Sequence, residues 1–593
     1  IMESIFQRPK LKKQTQRNAF DVSQKRVFHT PFGAILPCYC RVLCPDDYVE
    51  ISPESQFICD DLARPAFMRL KEHFDFYVVP IKQIWNPFDN FITGQDTYNS
   101  VAIENVNPQD KIPRSMPYIN DGNLSASLAS LSRKADIFSF NKCANALRLL
   151  DTLEYGNAYG WYLKNSTDGV MNEQYPNSLF GTINPLALCA YQKVYYDYFR
   201  NPKYEACNTK AFNLDDVNIN QPIGVGRIED LLELHYAWAK KDYFTSVAPS
   251  ILPTSTDIGF TGLPSDAPLT TIFGVPGSSN DGSIISKVGS YNGQISNQNN
   301  FGEFVYNNSP VYYGQSDVSA LRFAFAYDKL LRRMREAGGT FDKQMLAQFG
   351  ITPPESRDGK CTYIGGQTNR LNASDVINTG QQDDLGFIGG NINQYSTPRG
   401  KIKYHAKEFC VLIGVYHTSL DYDYPSYCTS RFNKYLSRFD FFNPAFENLG
   451  LQALYKFELL NLTFDGGDLD YNVDDLDGGA NTVLGYQRRY AEYKTSLDKV
   501  FGLFDFNLNV DYEKWVSQFH PVRLGASAQG AVPPSSPIDV VPIAQPLMMY
   551  NPQQFSQLVN VAYNGFWNTD PFKCHQYIHC KLISNMSAYS ETW

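Results

Sequence analysis

The side chains best suited to chemistry crowd into one short stretch. Asp465, Asp468, Asp470, Asp474, Asp475 and Asp477 follow one another among glycines. Carboxylates in such number suit calcium, a hard cation that gathers roughly six to eight oxygens. The EF-hand pattern is not met, because Val473 falls where its first acid belongs and Leu484 where its closing glutamate belongs. Two readings stand, a calcium site and an ordinary acidic turn. A second group is basic: Arg8, Lys10, Lys12, Lys13 and Arg17 lie in the first seventeen residues. A third pairs Cys574-His575 with His579-Cys580. Zinc would need cysteine and histidine on one side, and strand alternation puts them on opposite sides. There is no phosphate-binding GxxxxGK[ST], no HExxH and no GxSxG, and the eight histidines are dispersed. No catalytic set is assembled by spacing alone.

Charge separates the N-terminus from the rest. Residues 1–30 hold seven bases against Glu3 and Asp21, a net +5, which leaves −14 on the remainder of a chain whose total is −9. A basic arm on an acidic body is a pattern of nucleic-acid contact, and equally of a solvated tail. The chain as a whole, with a pI near 5.5, is not that of a dedicated nucleic-acid binder. The twelve cysteines include no CxxC. Cys38, Cys40 and Cys44 share parity with Val42, so a strand there would turn all four to one side as small hydrophobes. Reduced thiols in a cytosolic compartment are expected. No signal peptide is read before the basic arm, and no apolar run nears the roughly 20 residues of a membrane helix.

The elements that would position these groups are mostly strands. Ala63–Gly94 carries Phe74, Phe76, Tyr77, Val78 and Val79 up to Pro80, then Trp85, Phe88 and Phe91, as in a strand entering a buried corner. Phe28–Val49 reads as strand, turn, strand around Pro31, Pro37 and Pro45. Glu408–Tyr416 has the length of a buried strand. Helical patterns interrupt the middle at 144–153, 186–199, 228–238 and 318–336. Tyr191, Tyr195, Tyr198 and Phe199 sit at helical spacing and read as core. In the last helix Phe323, Ala324, Tyr327, Leu330, Leu331 and Met334 form one apolar face, with Arg322, Lys329, Arg332 and Arg333 off it. Residues 253–316 are rich in Gly, Ser, Asn and Thr and lack strong periodicity, which marks a functional insertion or a loose surface loop. No linker divides the 593 residues, so a basic arm at 1–27 and one large domain at 28–593 are expected.

Several stretches together resemble one family. They are PFGAILPCYCRVLCPDDYVEI from Pro31, AYQKVYYDYFRNP from Ala190 and KKDYFTSVAPS from Lys240. GGTFDKQMLAQFGITPPESRDGKCTYIGG from Gly338, YLSRFDFFNPAFENL from Tyr435, GYQRRYAEYKTSLDKVFGLF from Gly485 and DPFKCHQYIHCKLISNMSAYS from Asp570 complete the set. The chain resembles the gokushovirus-like major capsid proteins of the Microviridae, small icosahedral phages with single-stranded DNA. Asp46 stands where that family usually has the glycine of a Pro-Gly-Asp turn. The resemblance implies a mainly β fold, a viral jelly roll (an antiparallel eight-stranded barrel) with large loop and helical insertions. It implies a structural, non-enzymatic subunit that builds a T=1 shell of identical copies around circular single-stranded DNA. The shell would be assembled in the bacterial cytoplasm, and 253–316 would protrude at the threefold axes toward a host receptor. Arg8, Lys10, Lys12, Lys13 and Arg17 are then DNA-contact candidates, with a small basic virion protein as a further partner and no membrane. Two other classes remain open on residues alone: a β-rich glycan-binding adhesin and a β-sandwich glycosidase.

Overall fold

The computed structural model describes residues 17–93, 116–156, 181–249, 359–377, 388–455, 483–505 and 570–586, apart from six internal positions. It also describes residue 458 and parts of 166–171, 293–310, 326–351, 512–518 and 548–559. Strands β1 (Asn18–Asp21), β2 (Gln24–Thr30), β3 (Leu36–Leu43), β4 (Tyr48–Cys59) and β5 (Leu70–Pro80) come first. After the helical region come β6 (Thr362–Leu371), β7 (Asn393–Ser396), β8 (Ile402–His405), β9 (Cys410–Leu420) and β10 (Phe572–Ser584).

These strands form two antiparallel sheets, each four strands wide. In the first, β1 and β2 run end to end along β10, β10 pairs with β4, and β7 and β8 run end to end along the far side of β4. The second has the order β3, β9, β5, β6. The chain crosses between the sheets from β2 to β3, β3 to β4, β4 to β5, β6 to β7, β8 to β9 and β9 to β10, which is the jelly-roll winding. Alternation explains each long strand: β10 alternates buried Phe572, Cys574, Gln576, Ile578, Cys580 and Leu582 with more exposed neighbours. Phe57 and Phe572 pack at 4.9 Å between ring centres, and Phe74 and Tyr416 at 5.1 Å. Each such fully buried ring contributes about 1.5–3 kcal/mol.

Helices cover the second sheet and its flank. α1 (Asp121–Leu131) and α2 (Lys142–Thr152) begin at Asn120 and Asn141, whose side chains accept from the first-turn amides of Asn123 and Cys143. α3 (Leu186–Val194) packs on β5 and β9 and runs on as a π-helical turn, Tyr195–Phe199. Tyr191 and Tyr195 are buried, as their spacing predicts. α4 (Val225–Leu231) is shorter than the predicted 228–238, because Tyr236 and Trp238 leave the helix to bridge Ala34 and Met549.

Two local features depart from simple alternation. A bulge opposite Gly414–Val415 shifts β3 at Cys38, so Tyr39 and Leu43 are buried while Val42 is 52% exposed. The expectation that Cys38, Cys40, Val42 and Cys44 share one side therefore fails. A second bulge interrupts β6 between Tyr363 and Gly365. There a β-carbon on Gly366 would lie 2.5 Å from the Phe74 carbonyl oxygen and against Asp75, so Gly366→Ala would force β6 off β5. All twelve cysteines are free thiols.

The chain divides into two compact units, one made of 1–249 with 353–593, the other of Ser250–Thr352. The second unit contains the antiparallel ladder Gly293–Ile295, Phe304–Tyr306 and Ser309–Pro310, and the helix Phe341–Phe349. Residues 326–327, 329–330 and 333–334 are helical, as expected. Leu330 and Met334 of the predicted apolar face are nevertheless 39% and 38% exposed, so that face is not fully packed.

Candidate assembly surface

The groups singled out by spacing fare differently in three dimensions. Asp465, Asp468, Asp470, Asp474, Asp475 and Asp477 lie outside the described residues, as do Arg8, Lys10, Lys12 and Lys13. Among the described residues no three His, Cys, Asp or Glu side chains come together as metal ligands. Cys574 and Cys580 are buried while His575 and His579 face the other side of β10, with His579 Nε2 2.9 Å from Glu54. Burial pushes the thiols up, Cys574 to well above the ordinary range and Cys38 to about 12, so none is poised as a nucleophile.

Arg17, at the root of the basic arm, is ion-paired with Asp46. Asp46 has φ 73°, the left-handed conformation a glycine would take at the third position of a turn closed by Asp47 N–H on Cys44 C=O at 3.1 Å. The aspartate adds a clamp: besides Arg17 it meets His405 Nε2 at 2.8 Å and accepts from Asn585 Nδ2 at 3.0 Å. These donors hold the Asp46 carboxyl below its usual range.

The stretches at 240–249, 435–449 and 485–504 assemble into one module. Ala248 and Tyr486 exchange backbone hydrogen bonds, and Gln487 Nε2 donates to the Tyr243 carbonyl at 2.6 Å and Ser246 Oγ at 2.7 Å. Tyr243 OH donates to buried Glu458 at 2.8 Å, and Arg431 Nη1 meets the same carboxylate at 3.2 Å. Glu492 accepts from Tyr435 OH at 2.6 Å and Gln452 Nε2 at 2.5 Å.

On this base stands an exposed aromatic surface. Phe432 and Tyr493 pack edge to face at 5.0 Å, as do Phe442 and Tyr490 at 5.0 Å and Tyr435 and Phe441 at 5.3 Å. Yet Phe432, Phe439, Phe441, Phe442 and Tyr493 are 44–56% exposed and Leu436 is 95% exposed. Arg438 lies 4.8 Å over the Phe439 ring. Among the described residues no nucleophile–base pair accompanies these side chains, and what the arrangement offers is a fixed apolar face. In the sequence Tyr435–Leu449 stands only among the stretches that carry the family resemblance, and its exposure is not legible there, because composition records that a residue is apolar and not whether it is covered.

A model of the family described as "Capsid protein (F protein)" matches residues 179–520, more than half of the chain. The chain belongs to this capsid protein family. The capsid protein is also similar to "Capsid protein VP1" of Chlamydia phage 1, with 24% identity over 245 residues. That similarity covers 40% of this chain and 40% of the relative's length. The family match spans α3, α4, β6 to β9 and the aromatic module, so the Microviridae resemblance and the mainly β jelly roll agree. Membership in that family makes the chain a capsid protein, a structural component of a virion. Among its described residues no helix is long and apolar enough to cross a membrane.

Proposed function

We propose that the capsid protein closes, with identical copies of itself, into a T=1 icosahedral shell around circular single-stranded DNA. The observation that carries this reading is the jelly roll of two sheets, each four strands wide, within a chain of the phage capsid family. A jelly roll supplies a rigid wedge whose loops are free to vary, which suits a closed shell of repeated contacts. The basic arm, with Arg8, Lys10, Lys12 and Lys13, would face the genome, with Arg17 anchored on Asp46 at its root. A small basic virion protein would share the neutralisation. Residues 253–316 would face outward toward a host receptor, and assembly would take place in the bacterial cytoplasm. The six aspartates of 465–477 would take up calcium only as an accessory to this structural role.

The test is nuclease protection of particles purified from infected or expressing cells. The reading expects circular single-stranded DNA to survive digestion and to be released on heating. Replacement of 254–308 by a short Gly-Ser linker should leave that protected DNA in place while attachment to cells is lost. Particles without protected DNA would contradict genome enclosure, and loss of particles in the linker variant would make the insertion part of the framework.

A further inference from the structure

We infer that the aromatic face built from Arg431–Leu449 and Val483–Lys494 is the docking surface for a second copy of this chain. The inference rests on the reading of the chain as a shell subunit and names the contact that such a subunit uses.

The area is the first argument. A fully accessible Phe or Tyr presents about 150–250 Å², so five half-exposed rings with Leu436 offer about 600 Å² of apolar surface. That is the upper end of the roughly 300–600 Å² of the largest apolar patch on a monomer. It is also most of the roughly 800 Å² per partner that a stable interface takes.

Rigidity is the second. Leu436 is not a loose tip: its N–H and that of Ser437 donate to Asp440 Oδ2 at 3.0 and 2.7 Å, which fixes the turn that holds it out. Phe442 N–H and Asn443 N–H donate to the hydroxyls of Tyr493 and Tyr490 at 3.4 and 3.2 Å. A surface already ordered before contact loses little entropy on docking.

Charge decides between partners. Single-stranded DNA would call for available cations beside the rings. Here Arg431 is committed to Glu458 and Glu492 and Lys494 to Glu447, Arg438 and Arg489 lie over Phe439 and Tyr490, and Lys434 is engaged as well, which leaves exposed Arg488 as the one available cation among the described residues of these two stretches, too little charge for a polyanion. The most exposed residue, Leu436, is aliphatic and has no ring on which a base could stack. Such a surface fits another apolar protein face. In a family that builds capsids from many subunits, the protein at hand in every contact is this one, and interfaces between identical subunits are the more apolar kind.

The test compares wild type, Leu436→Met and Leu436→Asp for particle yield by sedimentation, with circular dichroism of the free subunits. Wild type and Leu436→Met should form particles, and Leu436→Asp should remain as folded subunits. Independently of any variant, hydroxyl-radical oxidation of Phe439, Phe441 and Phe442 should fall several-fold from free subunits to particles, which decides the matter if Leu436→Asp misfolds. Particles of Leu436→Asp at wild-type yield, or rings oxidised equally in both states, would overturn the inference. Particles that form but lack DNA would assign the face to the genome and overturn it as well. A wild type that makes no particles would instead remove the shell-subunit reading on which the inference stands.

Discussion

Ser55, on β4 of one sheet, donates its hydroxyl to Glu72, on β5 of the other, at 2.5 Å. The carboxylate also accepts from Asn369 Nδ2 at 2.8 Å and from Tyr416 OH at 3.3 Å, and among the described residues no cation meets it. Beside Ser55 in the first sheet lies Gln576, fully buried, with neither amide atom hydrogen-bonded. The barrel therefore carries a polar layer between its apolar ones, and its two sheets are tied together there.

Burial raises the Glu72 pKa above the value near 4.3 that the unfolded chain has. The stability this lends is complete below the unfolded value and is lost as pH rises through the folded one. Glu72→Gln, which keeps the acceptor and removes the charge, should raise the unfolding midpoint of free subunits, with a gain that grows from pH 5 to pH 8. Glu72→Ala should lower it by about 1–3 kcal/mol for each buried donor left without a partner. Denaturant titration at the two pH values checks both.

Acid should act at a different place. His73 on β5 and His417 on β9 stack at 4.6 Å between ring centres, and burial pulls them to about 4 and about 3. Because these values are depressed, their stability is present above the unfolded pKa near 6.5 and is lost as pH falls toward the folded values. His417→Phe, which keeps a ring against His73 and Phe199, should move the acid unfolding midpoint of free subunits to lower pH. An unchanged midpoint by circular dichroism would mean that the pair does not govern acid unfolding.

Asp46 combines a backbone role with a side-chain role, and two substitutions separate them. Asp46→Ala must adopt φ 73° without glycine's freedom, at about 1–2 kcal/mol. Asp46→Gly removes that strain and loses only the clamp. Both should speed tryptic cleavage at Arg17, whereas only Asp46→Ala should lower the unfolding midpoint appreciably.

The arm is tested through salt. Lys10, Lys12 and Lys13 together, if all engage phosphates, contribute about −2 to the log–log salt slope on single-stranded DNA. Changing all three to Gln should leave the fold intact and reduce packaged DNA at moderate salt, with the deficit shrinking as salt rises. Normal packaging at every salt concentration would leave the neutralisation to a separate basic protein.

Much of this architecture was readable in the residues. Prolines and β-branched or aromatic runs marked β5 and β9, and alternation in β10 correctly split Cys574 and Cys580 from His575 and His579. Strand order was not readable from pattern, since β5 pairs with a β6 that begins at Thr362, far along the chain, and only packing selects that partner. The bulge at Cys38 was hidden for a related reason: one unpaired residue reverses the facing of all that follow. The aromatic face at 431–449 was hidden because composition records that a residue is apolar and not whether another chain will cover it.

The central claim is that this chain is a self-assembling shell subunit. Cryo-electron microscopy of the purified protein at physiological salt tests it most directly. The account predicts closed icosahedral particles of one repeated subunit, with the jelly roll in the shell wall. A monodisperse, well-folded monomer that stays a monomer at high concentration would contradict it.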